Sequence, residues 1–244
     1  MKPRPEPEGW LALVLHAHLP LVRHPEHPRF HEESWLFEAL AECYLPLLDR
    51  LAQWTRAGLE WRLTLTLSPT LAAMLSDDLL RRRFERYLGE LAELAAREED
   101  RQVLQPERRR LAAGQVARLA GRRRQWEELG GDVIGALRGH RDAGRLEVLT
   151  CAATHALLPL WLDFPAVVRG QLRTAVRDYR RRLGSAPRGI WLPECAYAPG
   201  LDRWLAEAGL GWWVLETHGL LQARPPAPGA VFAPVTTPGG LHAF

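Results

Sequence analysis

The feature of this sequence that most constrains its fold is a regular alternation of short apolar runs with longer amphipathic stretches. Short continuous apolar runs indicate buried strands. Such strands are predicted over residues 10–15, 61–67, 146–150, 189–192 and 212–215. Strands that alternate with helices pair in parallel, because each helix crosses over the sheet to reach the next strand. The sequence therefore predicts an α/β fold, either an open doubly wound sheet or a barrel.

Helices are predicted between these strands from apolar residues that recur at steps of three and four. The first helix begins near Glu32 and carries a stripe that includes Leu36, Leu40, Leu47 and Leu51. The others are predicted over residues 79–99, 107–141, 166–183 and 201–208. Helices with one apolar stripe cover the faces of a parallel sheet, which agrees with the predicted α/β fold.

The last part of the chain lacks a pattern that would close a domain. Residues 223–229 (ARPPAPG) are predicted to form a Pro-rich loop. Residues 231–244 then carry an apolar run, a Pro-Gly-Gly turn and a second apolar start. A domain rarely stops at such a point without a closing helix or a polar tail. We therefore expect the domain to continue beyond Phe244.

Charge and cysteine content argue against several classes of protein. The net charge is only +3, and the Arg triplets are interleaved with Glu and Asp, which is typical of solvated helix faces. The three cysteines make neither an even framework nor a CxxC pair, so neither a disulfide scaffold nor a thiolate zinc site is indicated. The apolar run near the N-terminus is too short for a signal core or a membrane span. We expect a cytoplasmic protein that binds neither nucleic acid nor membrane.

Polar side chains follow several of the predicted strands. In parallel α/β folds the ligand lies beyond the carboxyl ends of the strands, because the loops there converge on one face. The candidates selected by this rule are His16, His18, Thr154, His155, Glu194, Glu216 and His218. The sequence therefore predicts a functional site at this end of the sheet.

His16 and His18 are the first pair of candidates. They are two residues apart at a strand end, so both side chains can point to the same side. Such a pair suits either a metal site or a clamp for sugar hydroxyls. A single histidine in a buried turn is more often a structural hydrogen-bonding residue. The pair, with His155 expected on the same rim, favours a functional role.

Glu194 is the candidate with the most unusual surroundings. Its neighbours in residues 190–197 (IWLPECAY) are mostly apolar or aromatic, so we expect the carboxylate to be buried. A buried carboxylate needs either a partner or a function. The structural alternatives are a cap on the following helix or an ion pair with an arginine. The adjacent Cys195 is a weaker candidate for a nucleophile.

Aromatic side chains add candidates for sugar platforms. The chain contains 10 tryptophans, so most are expected in the core. Trp212 and Trp213 are assigned to the core or to a platform, with core as the default. Trp35 follows the first strand's loop and is the better platform candidate, and Trp191 lies three residues before Glu194. Both are predicted to contact substrate.

Three ordered stretches of the chain resemble the motifs of family 57 glycoside hydrolases, and especially of their branching-enzyme subgroup. They are residues 16–26 (HAHLPLVRHPE) continued by 33–39 (ESWLFEA), 150–160 (TCAATHALLPL) and 189–197 (GIWLPECAY). Three motifs in order, each at a strand end, are far more specific than one. The similarity covers residues 11–244. Leu21 departs from it, because the subgroup has an aromatic residue there.

The resemblance implies a distorted (β/α)₇ barrel, of which residues 1–244 would be the N-terminal portion of a single catalytic domain. It implies retaining chemistry on α-1,4-glucans without a cofactor, with Glu194 as nucleophile. His16, His18 and His155 would line the donor subsite. The family's acid/base aspartate would follow Phe244. We therefore expect this chain alone to be nearly inactive, and an open barrel edge to promote self-association.

Alternative functions remain at this point. Within the same family, α-amylase and 4-α-glucanotransferase activities are variants of α-1,6 branching. From a different class, a metal-dependent polysaccharide deacetylase would use the pair of His16 and His18, but it needs an acidic third ligand. A glucan-binding fragment without catalysis is the third possibility.

Overall fold

All five predicted strands form, and they pair in parallel in chain order. The computed structural model of the chain describes residues 9, 11–227 and 229–244. The strands are β1 (Val14–Ala17), β2 (Leu63–Leu67), β3 (Leu146–Cys151), β4 (Gly189–Trp191) and β5 (Trp212–Val214). The first lies later than predicted, and Trp10, where that prediction begins, lies outside the described residues.

Two further strands were not predicted. They are β6 (Val235–Thr236) and β7 (His242–Ala243), which form an antiparallel hairpin around the Pro-Gly-Gly turn. β7 pairs in parallel with β5 and extends the sheet to the order β1-β2-β3-β4-β5-β7-β6. Two-residue strands are too short for an alternating pattern to be visible in sequence. They join the sheet through the pairing of β7 with β5.

The sheet has the expected α/β character and is not closed. Within the described part of the chain, β1 and β6 stand at its two ends and each has one neighbouring strand. The prediction of an α/β fold with an incomplete barrel is therefore confirmed. None of the described helices is both long enough and apolar enough to cross a membrane.

The helices lie between the strands as predicted, although their boundaries differ. The α-helices are α1 (Glu33–Ala39), α2 (Leu45–Arg56), α3 (Pro69–Leu75), α4 (Asp78–Arg101), α5 (Pro106–Glu128), α6 (Val133–Asp142), α7 (Pro165–Leu183), α8 (Leu201–Glu207) and α9 (Thr217–Leu221). Short 3₁₀ turns span Leu158–Trp161, Pro193–Cys195 and Ala230–Phe232.

A π-helical turn joins α1 to α2, where the sequence predicted one uninterrupted helix. The turn spans Leu40–Tyr44, and the N–H of Leu45 donates to the carbonyl of Leu40, five residues earlier. Pro46 follows immediately and has no N–H for the carbonyl of Glu42. A π turn accommodates this missing donor while the helix continues.

The single helix predicted over residues 107–141 is wrong. The chain breaks after α5 at Gly130 and Gly131, whose φ angles are +58° and +67°. Asp132 then caps α6, because its Oδ1 accepts from the N–H of Gly135 at 2.8 Å. The Gly-Gly-Asp sequence is a helix stop followed by a helix start, which the amphipathic pattern concealed.

Two core clusters pack the helices against the sheet and support the strand ends. One cluster packs β1, β2 and β3 against α1 through α6, and a second packs β4 and β5 against α7 and α8. Leu149 and Ile190, on adjacent strands, are fully buried. A Cβ at Gly189 would lie 2.5 Å from the Trp212 ring, so β4 and β5 need glycine there. This packing fixes the loops that carry the polar candidates.

Candidate active site

The structure brings three predicted histidines together at the carboxyl ends of the strands. His16 lies in β1, His18 follows β1, and His155 follows β3. We call these three residues the histidine cluster. The Nε2 atoms of His16 and His155 lie 3.2 Å apart, within hydrogen-bond distance. The rings of His18 and His155 stack with centroids 3.8 Å apart and an interplanar angle of 13°.

Trp191 forms one wall of this cluster. It is the last residue of β4, and its ring stacks on His16 with a centroid separation of 4.7 Å and an interplanar angle of 21°. Stacking on the indole holds the His16 ring while leaving its edge accessible. His16 is exposed, whereas His18 and His155 are half-buried. The histidine cluster is therefore open to solvent at His16, and ring stacking on Trp191 holds the His16 ring in place.

The electrostatics of the cluster keep its histidines neutral. Desolvation and the nearby His155 lower the pKa of His16 from its ordinary 6.5 to about 4, against a smaller raising effect of Glu194. Desolvation, His155 and His16 lower the pKa of His18 to about 4. Desolvation also lowers the pKa of His155. Neutral imidazoles carry one donor and one acceptor each, as hydroxyl recognition requires.

These lowered pKa values predict a specific pH dependence of stability. The unfolded chain binds more protons than the folded protein between about pH 4 and 6.5 at His16 and His18. The free energy of unfolding should therefore fall as pH falls through this window and level off below it. Urea unfolding at several pH values across the window measures this free energy. Its slope against pH should be shallower for His16→Gln and His18→Gln than for the wild type. Equal slopes in all three proteins would contradict the lowered pKa values.

Glu194 lies beyond β4 in a strained turn. Its φ and ψ are 56° and 24°, and Cys195 has a φ of 51°. His155 has a φ of 58°, so every non-glycine residue with positive φ in the described chain is in this region. Left-handed backbone at such residues costs about 1–3 kcal/mol each and persists where the surrounding structure imposes it. Leu192 and Pro193, which directly precede Glu194, are buried and anchor this turn in the core.

The expectation that Glu194 is buried is wrong, because its side chain is exposed. The left-handed turn directs the carboxylate away from the core, which the apolar neighbours in sequence could not show. Neither structural alternative is realised within the described residues. The N-cap of α8 is Gly200 with no side-chain cap, and the ion pairs do not include Glu194. The charge of Glu194 instead acts on His16 and His155.

Cys195 is not suited to act as a nucleophile. Burial raises the pKa of its thiol, and the charges of Glu216 and Glu194 raise it further. Reactive cysteines have the opposite environment, with cations that stabilise the thiolate. Because the charge of Glu216 raises the pKa of Cys195, Glu216 lies near the turn that carries Glu194.

The remaining candidates lie farther out. Glu216 precedes α9, and its Oε1 lies 3.0 Å from Nδ1 of His218, with both side chains exposed. Trp35 is 44% exposed on α1, and its ring stacks on no histidine of the cluster among the described residues. Trp213 is a core residue that stacks on Tyr197 at 5.2 Å. Substrate contact by Trp35, Glu216 and His218 stays a prediction.

Ser68 and Thr70 also contact the histidine cluster and were not predicted. Ser68 is fully buried, and its Oγ lies 2.8 Å from Nδ1 of His18. Ser68-Pro69 directly follows β2. It is the N-cap and first residue of α3, since Ser68 Oγ accepts from the N–H of Leu71 at 3.4 Å. The Ser-Pro signal for a helix start would have found this helix.

The side-chain arrangement does not favour the deacetylase alternative. That chemistry needs three metal ligands around one point, including an acidic residue. Among the described residues, no three His, Cys, Asp or Glu side chains are placed to share a metal ion.

Comparison with known proteins gives a consistent family. The sequence profile of glycosyl hydrolase family 57 matches residues 12–244. The chain is 35% identical over 236 residues to the 1,4-alpha-glucan branching enzyme TK1436 of Thermococcus kodakarensis. That alignment covers 86% of this chain and 33% of the relative, so the chain spans about a third of the relative's length.

Two solved structures are closely similar. The α-amylase AmyC of Thermotoga maritima superposes with a TM-score of 0.93 at 36% identity, covering 97% of this chain and 45% of that one. The GH57-type branching enzyme of Pyrococcus horikoshii superposes with a TM-score of 0.89 at 30% identity, covering 97% and 46%.

Proposed function

The chain belongs to glycosyl hydrolase family 57, and from this premise we propose that it carries the nucleophile and donor subsite of an α-1,4-glucan branching enzyme. The supporting observation is the exposed Glu194 carboxylate, which a strained turn presents beside a cluster of neutral histidines. The name of the Thermococcus relative supports branching as the reaction. The proposed substrate is an amylose- or glycogen-like glucan.

In the first step the Glu194 carboxylate attacks the anomeric carbon of the donor glucose. The glycosidic bond breaks as the covalent glycosyl-enzyme forms, and a second carboxyl group protonates the departing oxygen. The histidine cluster holds donor hydroxyls through neutral ring nitrogens and orients the sugar for attack. The negative charge of Glu194 also stabilises the oxocarbenium character of the transition state.

In the second step the acceptor is a glucan 6-hydroxyl, whereas a hydrolase would use water. The second carboxyl group, now a carboxylate, removes the hydroxyl proton while the oxygen attacks the anomeric carbon and releases Glu194. An α-1,6 bond results. We propose that this second carboxyl group follows Phe244 and that the described residues supply the covalent half of the chemistry.

Hydrolysis is the second candidate, because the α-amylase AmyC superposes at least as well as the branching enzyme. The two candidates share every step up to the glycosyl-enzyme. They differ in whether water or a 6-hydroxyl resolves it.

Amylose is the substrate that separates these functions. We expect a chain extended through the second carboxyl group to lower iodine absorbance and to yield short chains after debranching, with few new reducing ends. Residues 1–244 alone should be slower by about 10²–10⁴-fold, since that is the usual contribution of general acid catalysis. Reducing ends without branch points would identify an amylase, and full activity of the 244-residue chain would contradict the proposed position of the acid/base after Phe244.

A further inference from the structure

Two hydroxyl groups, one buried on Ser68 and one half-buried on Thr70, contact His18 of the histidine cluster. Ser68 Oγ lies 2.8 Å from His18 Nδ1 and 3.2 Å from Thr70 Oγ1. Thr70 Oγ1 lies 2.9 Å from the carbonyl oxygen of Leu19 and 3.5 Å from His18 Nδ1. Ser68 is fully buried, so its hydrogen bonds must be made within the protein.

Counting protons gives one arrangement in which each of these contacts is a hydrogen bond. A carbonyl oxygen can only accept, so the single hydroxyl proton of Thr70 is donated to Leu19. Thr70 Oγ1 can then only accept, and Ser68 is the hydroxyl placed to donate to it. With the Ser68 proton committed, the short contact between Ser68 Oγ and His18 Nδ1 needs a proton from the imidazole.

We propose that Ser68 and Thr70 are positioning residues that fix His18 as the Nδ1–H tautomer, so that its Nε2 presents a lone pair to a glucan hydroxyl. The ligand part of this inference rests on the proposed function. The tautomer part rests only on the hydrogen-bond geometry. His18 Nε2 has no hydrogen-bond partner among the described residues and is not one of the buried unpaired atoms.

The other tautomer satisfies fewer groups. If Ser68 donated to His18 Nδ1, Thr70 Oγ1 would receive no hydrogen bond from either of its neighbours, Ser68 Oγ and His18 Nδ1. The Nδ1–H arrangement uses Ser68, Thr70 and Leu19 as a continuous chain of donors and acceptors, which strengthens each member. Ser68 also accepts from the N–H of Leu71, so the start of α3 holds its oxygen in place.

A tautomer matters here because His18 is neutral at physiological pH, for the reasons given above. A neutral imidazole can either donate or accept at Nε2, but not both. The stacked His155 ring and the Ser68 contact hold the His18 ring in one orientation. We call the hydrogen-bonded chain from His18 through Ser68 and Thr70 to Leu19 the relay. The relay makes His18 Nε2 an acceptor, so the donor subsite binds a sugar hydroxyl that donates its proton at this position.

The test is long-range ¹H–¹⁵N correlation of the histidine rings in the 244-residue protein at neutral pH. The His18 signals are identified by their loss in His18→Gln. We expect protonated Nδ1 and unprotonated Nε2 in the wild type and in Thr70→Ser, which keeps the hydroxyl. Thr70→Val frees the Ser68 proton, so the population should shift towards Nε2–H. Ser76→Ala is the matched control, since Ser76 bonds to Ala72 in the same helix and does not contact His18.

Binding of maltoheptaose is the second measurement. We expect about tenfold weaker affinity in Thr70→Val and Ser68→Ala, the size expected for one lost hydrogen bond, and no change in Ser76→Ala. A wild-type spectrum with Nε2–H, or one unchanged by Thr70→Val, would overturn the relay. The predicted tautomers without any maltoheptaose binding would uphold the relay and contradict the proposed function instead.

Discussion

Replacing Glu194 with Gln is expected to slow formation of a covalent glycosyl-enzyme by at least about a thousandfold, because an amide has no charge with which to attack the anomeric carbon. The suitable probe is 5-fluoro-α-glucosyl fluoride, since fluoride departs without a proton donor. The reaction then reports on the nucleophile alone and does not depend on the second carboxyl group. Intact mass shows the adduct, and peptide mapping locates it.

The matched control is Cys195→Ala, which changes the neighbouring residue in the same strained turn. It should be labelled at nearly the wild-type rate, because the raised pKa of the Cys195 thiol leaves it protonated. Label that persists in Glu194→Gln and maps to another carboxylate would mean that the nucleophile is not Glu194. Label on Cys195 would mean that the Cys195 thiol is the nucleophile, despite its raised pKa.

Breaking the buried ion pair between Glu33 and Arg83 is expected to cost about 3–5 kcal/mol in the free energy of unfolding, because the remaining charge would be buried without a partner. The exposed fractions of the two side chains are 1% and 8%. Glu33 Oε1 also accepts from the N–H of His24 at 3.0 Å, and Arg83 donates to the carbonyls of His24 and His27. The pair thus joins α1 and α4 to the loop that follows β1.

Urea unfolding of Glu33→Gln and Arg83→Met measures this cost, with unchanged m-values as the sign that the folded state is intact. The control is Arg123→Met, which breaks an exposed ion pair to Glu127 with side chains 65% and 59% exposed. That variant should lose no more than about 0.5 kcal/mol. Losses of similar small size in all three variants would show that the buried pair does not hold the loop.

Local sequence patterns predicted the elements that repeat over several residues. The apolar run over residues 146–150 became β3, and the amphipathic stretch over 166–183 became α7. The same method failed where the signal was short. It joined α5 to α6 across Gly130 and Gly131, and it missed the start of α3 at Ser68. Periodicity averages over a window, so one or two residues with special backbone geometry are lost in it.

For the candidate site, the sequence alone determined the residue types and the face of the sheet on which they lie, because the carboxyl ends of parallel strands share one edge. Only the tertiary structure decided their environment. Within that structure, His16 and His155 come within 3.2 Å although 139 residues separate them, and the turn at Glu194 exposes a carboxylate that its neighbours in sequence suggested was buried. Burial, pKa and proton position depend on such long-range contacts, which no local pattern of residues contains.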